Sequence, residues 1–185
     1  MPRRGLDRAR VVAVAGEIAD AEGLDAVTLA RVAARLDVRS PSLYNHVAGR
    51  DGLLRALAAQ STRELGAALR RAATGRSGAD AIAAVAAAQR GYALAHPGRY
   101  ATTVAAPAAG DAEHAAAAED AVDVIFAVLR GAGLDGDELI HGARALRSAV
   151  HGFAALEAAG GFAQPLDRDA SFRRLVDALA SGLTA

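Results

Sequence analysis

Residues 28–47, TLARVAARLDVRSPSLYNHV, hold two short helical signals divided by a turn, and the contrast between them decides the fold. In the first, Leu29, Val32, Ala33 and Leu36 recur at i, i+3, i+4 and i+7, an apolar stripe about eight residues long. Thr28 precedes it as an N-cap, because its hydroxyl can accept a backbone N–H that has no partner in the first turn. Asp37 and Val38 make a tight turn. Ser40 is then expected to cap a second helix over roughly Pro41 to His46, with Pro41 first in line, where a missing N–H costs nothing. That helix has Leu43 and Val47 as inward anchors, but it also carries Arg39, Ser40, Ser42, Tyr44, Asn45 and His46. Such a density of donors and acceptors is wasted in a core. It suits the second helix of a helix-turn-helix, which lies in the major groove against base edges and phosphates.

The flanks extend the pattern. Upstream, Val11, Val14, Ala15, Ile18 and Ala19 share one face of a helix expected from Asp7 to Glu22 and stopped by Gly23. Downstream, Gly49 breaks the chain and Asp51 is placed to cap a helix reaching Ala73. Further helices are expected over about 79–96, 99–106, 112–130, 137–159 and from Ala170 to near the end, with Pro97 and Pro107 as stops. Hydrophobic residues make up 52% of the 185, alanine dominates, and aromatics are only 4%, so helix formers abound and strand signals are sparse. The expectation is an all-α protein of about nine helices. All 21 basic residues are arginine and balance 21 acids, so the molecule is not a polycation. Charge is nevertheless uneven: Arg3, Arg4, Arg8 and Arg10 crowd the start, whereas residues 111–140 carry eight acids against Arg130. That asymmetry fits an anion-binding end, and equally a solvated face. The absence of cysteine excludes disulfides, thiolate catalysis and cysteine zinc sites. No secretory signal or membrane-length apolar run is read, and a cytoplasmic location is expected.

The segment TLARVAARLDVRSPSLYNHVAGRDGLLRAL, with ARVVAVAGEIADAEGLDAVT upstream, resembles the DNA-binding region of TetR-type transcriptional regulators. The resemblance spans about residues 6–58 and rests on the Leu43-Tyr44-Asn45-His46 block, the capping Thr28 and the Arg50-Asp51 opening. HGFAALEAAGGF, residues 151–162, resembles a ligand-domain subgroup marked by a His-Gly pair. The resemblance implies a three-helix helix-turn-helix DNA-binding domain over 1–50, followed by a larger helical ligand-binding and dimerisation domain over 51–185. It implies a homodimeric repressor released from a near-palindromic operator in double-stranded DNA by a small apolar or amphipathic effector, with no cofactor and no membrane partner. The DNA-binding candidates are Thr28, Arg39, Ser40, Pro41, Ser42, Tyr44, Asn45, His46 and Arg50. Tyr44 and His46 are phosphate anchors by resemblance; Ser40, Ser42 and Asn45 are better placed for bases, and Arg39 for either. Two departures stand out: Asp37 occupies the turn position usually held by glycine, and Ala30 replaces an arginine that reads a base in some relatives.

Elsewhere the residues leave alternatives open. Asp137, His141, Arg144, Ser148 and His151 form a polar stripe on one helix, which suits an exposed face, a dimer interface or a cavity wall. Gln89, Tyr92, His96, Tyr100 and Phe126, together with His141, Arg144 and His151, are the candidate ligand-binding residues; each also suits core or surface. Phe172, Leu175, Val176, Leu179 and Leu183 form a stripe on the last helix that is expected to pair with a second copy, beside the small residues Ala143, Gly152, Ala155 and Ala159. No HExxH, GxSxG or P-loop occurs, and Asp111, Glu113 and His114 read as an ordinary helix start rather than a metal site, so no enzyme is expected. An all-α interaction module without DNA binding is the alternative, but it leaves the polar helix and the basic start unexplained.

Overall fold

The computed structural model describes residues 6–184; the expected roles of Arg3 and Arg4 lie outside them. Among the described residues there is no strand. Eight α-helices run in the order α1 (Arg8–Glu22), α2 (Leu29–Leu36), α3 (Gly49–Ala73), α4 (Gly78–Ala95), α5 (Pro97–Thr102), α6 (Ala112–Gly131), α7 (Gly136–Ala158) and α8 (Arg168–Thr184). Two 3-10 segments, Leu24–Ala26 and Ser40–Asn45, flank α2. Counting Ser40–Asn45 as a helix gives the nine expected, and Leu24–Ala26 is an addition. The chain divides into two compact units. Unit one holds the residues up to Arg63 and His96–Ala118; unit two holds Glu64–Ala95 and the residues from Glu119 onward. The boundary after Arg63 falls inside α3, later than a cut at residue 50, and unit one also takes in His96–Ala118.

Unit one is built on local caps. Asp7 caps α1, its Oδ1 accepting the Arg10 N–H at 2.7 Å. Thr28 caps α2, its hydroxyl accepting the Arg31 N–H at 3.2 Å. Asp37 takes the left-handed conformation (φ 55°, ψ 46°) in glycine's place. The N–H groups of Asp37 and Val38 then bond back to Ala34 (3.3 Å) and Ala33 (3.0 Å), closing the end of α2 as a Schellman motif. The caps expected at Ser40 and Asp51 are not found. Arg39 occupies the cap position without a side-chain bond, and α3 begins at Gly49, which leaves Asp51 in its first turn. Val11, Ile18, Val27, Val32, Leu43, Leu53 and Leu57, all almost wholly buried, form one core.

α5 is locked to α1 in the same unit. It starts at Pro97, two residues before the expected helix, because a proline needs no N–H partner in the first turn. Gly98 lies so close to α1 that a Cβ there would overlap the carbonyl group of Ala19. One carboxylate secures the joint. The Asp20 side chain accepts the Arg99 backbone N–H at 2.8 Å, and its carboxylate lies in ion-pair range of the Arg99 Nε at 3.1 Å and of His96 Nδ1 at 3.2 Å.

In unit two, α4 packs against α7 and α8. Ile82, Val85, Leu129, Leu146, Val150, Phe172 and Val176 are core residues there. The stripe expected to pair α8 with a second copy is therefore largely used within the chain: Phe172 and Val176 are 4% and 3% exposed, and Leu179 and Leu183 pack on the same core. A side chain that fills its own core is no longer available to a partner. Arg90 ties the three helices together. Its guanidinium makes a bidentate pair with Glu157 (both contacts 2.8 Å) and reaches Asp169 at 2.8 Å. It also lies 4.8 Å and 5.4 Å from the ring centroids of Phe172 and Phe153. The Arg90 hydrogen bond holds the Glu157 carboxyl below the usual carboxylate range, against the opposing effect of burial.

Candidate nucleic-acid interface

The polar block is wound as a 3-10 helix rather than an α-helix, and this decides which side chains face outward. At three residues per turn, positions three apart align. One row holds Ser40, Leu43 and His46; Leu43 is fully buried, and its neighbours in the row are half-buried. The second row holds Pro41 and Tyr44, both exposed, and the third holds Ser42 and Asn45. Tyr44 is 63% exposed. Arg39 and Asn45 are also exposed. Ser42 is half-buried and donates its hydroxyl to the Arg39 carbonyl at 2.6 Å, so it supports the turn. Arg39, Pro41, Tyr44 and Asn45 thus come together on one surface, while Ser40, Ser42 and His46 sit at its edge.

Two further candidates are occupied by the fold. Thr28 is half-buried and spends its hydroxyl on the cap. Arg50 donates from Nε to the Val27 carbonyl (2.8 Å) and from a terminal nitrogen to Leu24 (3.1 Å). It thereby pins the Leu24–Val27 turn to the start of α3. No pattern in the sequence marks such a bond to main-chain oxygens 23 and 26 residues away. Arg31 and Arg35 both pair with Glu22, which joins α1 to α2.

Reasoning from the sequence missed Glu113. Its carboxylate bridges Arg8 (2.7 and 3.2 Å) and Arg63 (3.1 Å), so the basic start is partly neutralised within unit one. Near it lies a cleft of about 560 Å³ lined by Arg8, Arg55, Asp111 and Glu113, whose charges cancel. His46 also lines this cleft.

The eight candidate ligand residues are divided between the two units. His96 and Tyr100 belong to unit one, where His96 pairs with Asp20. The other six belong to unit two. Gln89 and Tyr92 are buried on α4, and the Tyr92 hydroxyl bonds Glu64 at 3.0 Å. Phe126 is half-buried beneath Arg130, whose guanidinium lies 5.8 Å from the ring centroid. His141 and Arg144 are exposed on α7, and His151 is half-buried. None of the eight lines the unit-one cleft or a second cleft of about 400 Å³ in unit two. Asp137 and Ser148 are exposed like His141 and Arg144, so the polar stripe lies mainly on the open face of α7.

Comparison with known proteins covers both parts of the chain. Residues 11–57 match the family described as bacterial regulatory proteins, tetR family. Residues 82–179 match the tetracyclin repressor-like C-terminal domain. An uncharacterized HTH-type transcriptional regulator of Mycobacterium tuberculosis is 38% identical over 96% of this chain and 82% of its own length. One from Bacillus subtilis is 32% identical over 98% and 95%. A solved structure of a protein of unknown function from Rhodococcus sp. superposes with a TM-score of 0.83 at 26% identity, covering all of both chains.

Proposed function

Because the chain belongs to the TetR family of bacterial regulatory proteins, a family of dimeric DNA-binding transcriptional regulators, we propose that it is a repressor that two copies seat on a near-palindromic operator and a small effector releases. The supporting observation is the exposed surface formed by Arg39, Pro41, Tyr44 and Asn45, which the buried Leu43 and Val47 anchor to unit one. On a 3-10 helix, neighbouring side chains diverge by about 120°, so Tyr44 and Asn45 do different work. Tyr44 reaches a phosphate and Asn45 a base edge. Tyr44→Phe is expected to weaken binding to every duplex alike by about 1.5–3 kcal/mol, because a phosphate contact carries little sequence information. Asn45→Ala is expected to relax one base position per half-site, at about 1–3 kcal/mol. Binding-site selection at one fixed salt concentration reads both, and half-site centres should lie about 34–36 Å apart or a multiple of that. If Tyr44→Phe shifts the selected sequence and Asn45→Ala does not, the roles are reversed. If neither changes binding, this segment does not read DNA.

Dimerisation by the last two helices uses their outer faces. Ala155 on α7 and Ala159 at its C-cap are exposed, and a Cβ at Gly152 would meet open space, so a second helix can approach closely. Ala155→Arg leaves the chain's own core untouched. It is expected to give monomers in light scattering and to weaken operator binding with them; a stable dimer would place the interface elsewhere.

A further inference from the structure

The resemblance places a DNA contact at Arg50, whose guanidinium is held by the Val27 and Leu24 carbonyls. Arg55 follows five residues later on the same helix, α3. It is exposed and, among the described residues, its side chain takes part in no hydrogen bond or ion pair. Helical side chains lean back towards the N-terminus of their helix, and this one does so. A Cβ built at Gly52 would lie 4.0 Å from Arg55 Nη2 and 3.1 Å from the Ala48 Cβ. The guanidinium therefore rests over the first turn of α3, beside the end of the reading segment. It lines the unit-one cleft there with His46 and Ala48.

The neighbourhood as a whole is neutral. Arg8 and Arg55 face Asp111 and Glu113 in the cleft, and Arg63 and Asp51 beside it add one charge of each sign. Net charge therefore draws no anion in, and any grip must come from direct contact. The groups differ in what they have left to offer. Glu113 is bridged by Arg8 and Arg63, which occupies all three side chains. Asp111 accepts the His114 N–H at 3.1 Å with one oxygen, and its other oxygen is buried. Asp51 is exposed a turn before Arg55 and makes no ion pair with it. Arg55 is left with its whole guanidinium open to an incoming group, and the half-buried His46 shares the cleft with it. A planar fork of N–H donors suits a phosphate, whose two unesterified oxygens can take a bidentate pair. The reading surface ends at Asn45, immediately before His46, so a duplex strand seated on that surface has the cleft mouth beside it.

We propose that Arg55, rather than Arg50, grips a backbone phosphate of the operator, across the cleft mouth from His46. The assignment rests on the DNA-binding reading above. Arg55→Gln is the test, read by fluorescence anisotropy of the full-length protein on two duplexes of equal length. One duplex is recovered by binding-site selection and the other has an unrelated sequence. Binding to both should weaken by at least about tenfold. The slope of log K against log salt should become shallower by about 0.9 for each copy bound. Arg55→Lys keeps the charge and should keep the slope, with an affinity between the two, because a point charge lacks the bidentate fork. Arg71→Gln is the control. It removes the same charge from an exposed position roughly 24 Å further along α3, beyond the reach of a screened surface charge. It should leave affinity and slope as in wild type. The thermal midpoint of Arg55→Gln should also match wild type, since the side chain has no partner in the fold; a lowered midpoint gives it a structural role and overturns the premise. Unchanged affinity and slope in Arg55→Gln, or an equal loss in Arg71→Gln, overturns the contact. A change in the selected sequence assigns Arg55 to a base and overturns it too. If Tyr44→Phe and Asn45→Ala still act as expected, those outcomes leave the reading segment standing. A wild type that binds neither duplex sinks the DNA reading, and this contact with it.

Discussion

Gly98→Ala should be among the most damaging single-methyl additions to this chain. The added Cβ would overlap the Ala19 carbonyl, which is backbone on the facing helix and has no rotamer to swing away. Either α5 lifts off α1 or α1 distorts, and separation strains the three contacts that His96 and Arg99 make to Asp20. The cost should reach the upper end of the roughly 1–3 kcal/mol typical of overpacking. Gly91→Ala is the matched control. Gly91 is exposed within α4, four residues before its end, and its Cβ would meet nothing within 4 Å. There the same substitution should stabilise by about 0.5–1 kcal/mol, because glycine is costly inside a helix. Urea midpoints of the two variants should therefore move in opposite directions; if both rise, the close approach of α5 to α1 is wrong.

Arg90→Met should cost about 3–5 kcal/mol, since it strands the Glu157 carboxylate, whose side chain is only 10% exposed, in an apolar corner. Asp169, 66% exposed, loses little. The acid response separates this from a simple packing loss. In the wild type, Glu157 titrates below its unfolded value, chiefly because of the Arg90 bond. Its contribution is therefore complete above an unfolded carboxylate pKa of about 4.3 and is lost as pH falls through the depressed folded value. In the variant only the smaller attraction of Arg168 still opposes desolvation, which Asp169 assists, so the folded value should rise and the deficit should shrink as pH falls from 7 towards 5. Adding Glu157→Met should recover most of the loss at pH 7, because two apolar side chains then replace the pair. Denaturation of the three proteins across that pH range tests this; a pH-independent deficit, or no recovery in the double variant, assigns the loss to packing alone.

What the sequence made legible was what neighbours within four residues determine. Thr28 caps its helix as read, the first helix starts beside Asp7 where it was expected, and Asp37 takes the left-handed turn that its side chain tolerates. The apolar stripe of α2 is buried at Val32, Ala33 and Leu36. Inference weakened where the period changed. The 3-10 winding sets Ser40 and His46 in line with the buried Leu43, and Asn45 in line with Ser42, an alignment that an α-helical wheel over 40–46 does not give. It failed where contacts are distant. Arg50 finds Val27 and Leu24, Glu113 finds Arg8, and Arg90 finds Glu157 and Asp169. No local pattern marks an arginine for such a partner. The stripe on α8 was correctly read as apolar, but periodicity cannot distinguish a face that packs on its own chain from one that packs on another.

The two Arg50 bonds bear on the energetics of recognition. They join the turn before α2 to the start of α3, so the chain on both sides of the Ser40–Asn45 segment is fixed before any DNA arrives. A reading head of this kind loses little conformational entropy on docking, and more of its contact energy survives as affinity. With its frame already ordered, the segment is expected to dock without the large negative heat-capacity change that coupled folding brings, which calorimetry at several temperatures would read.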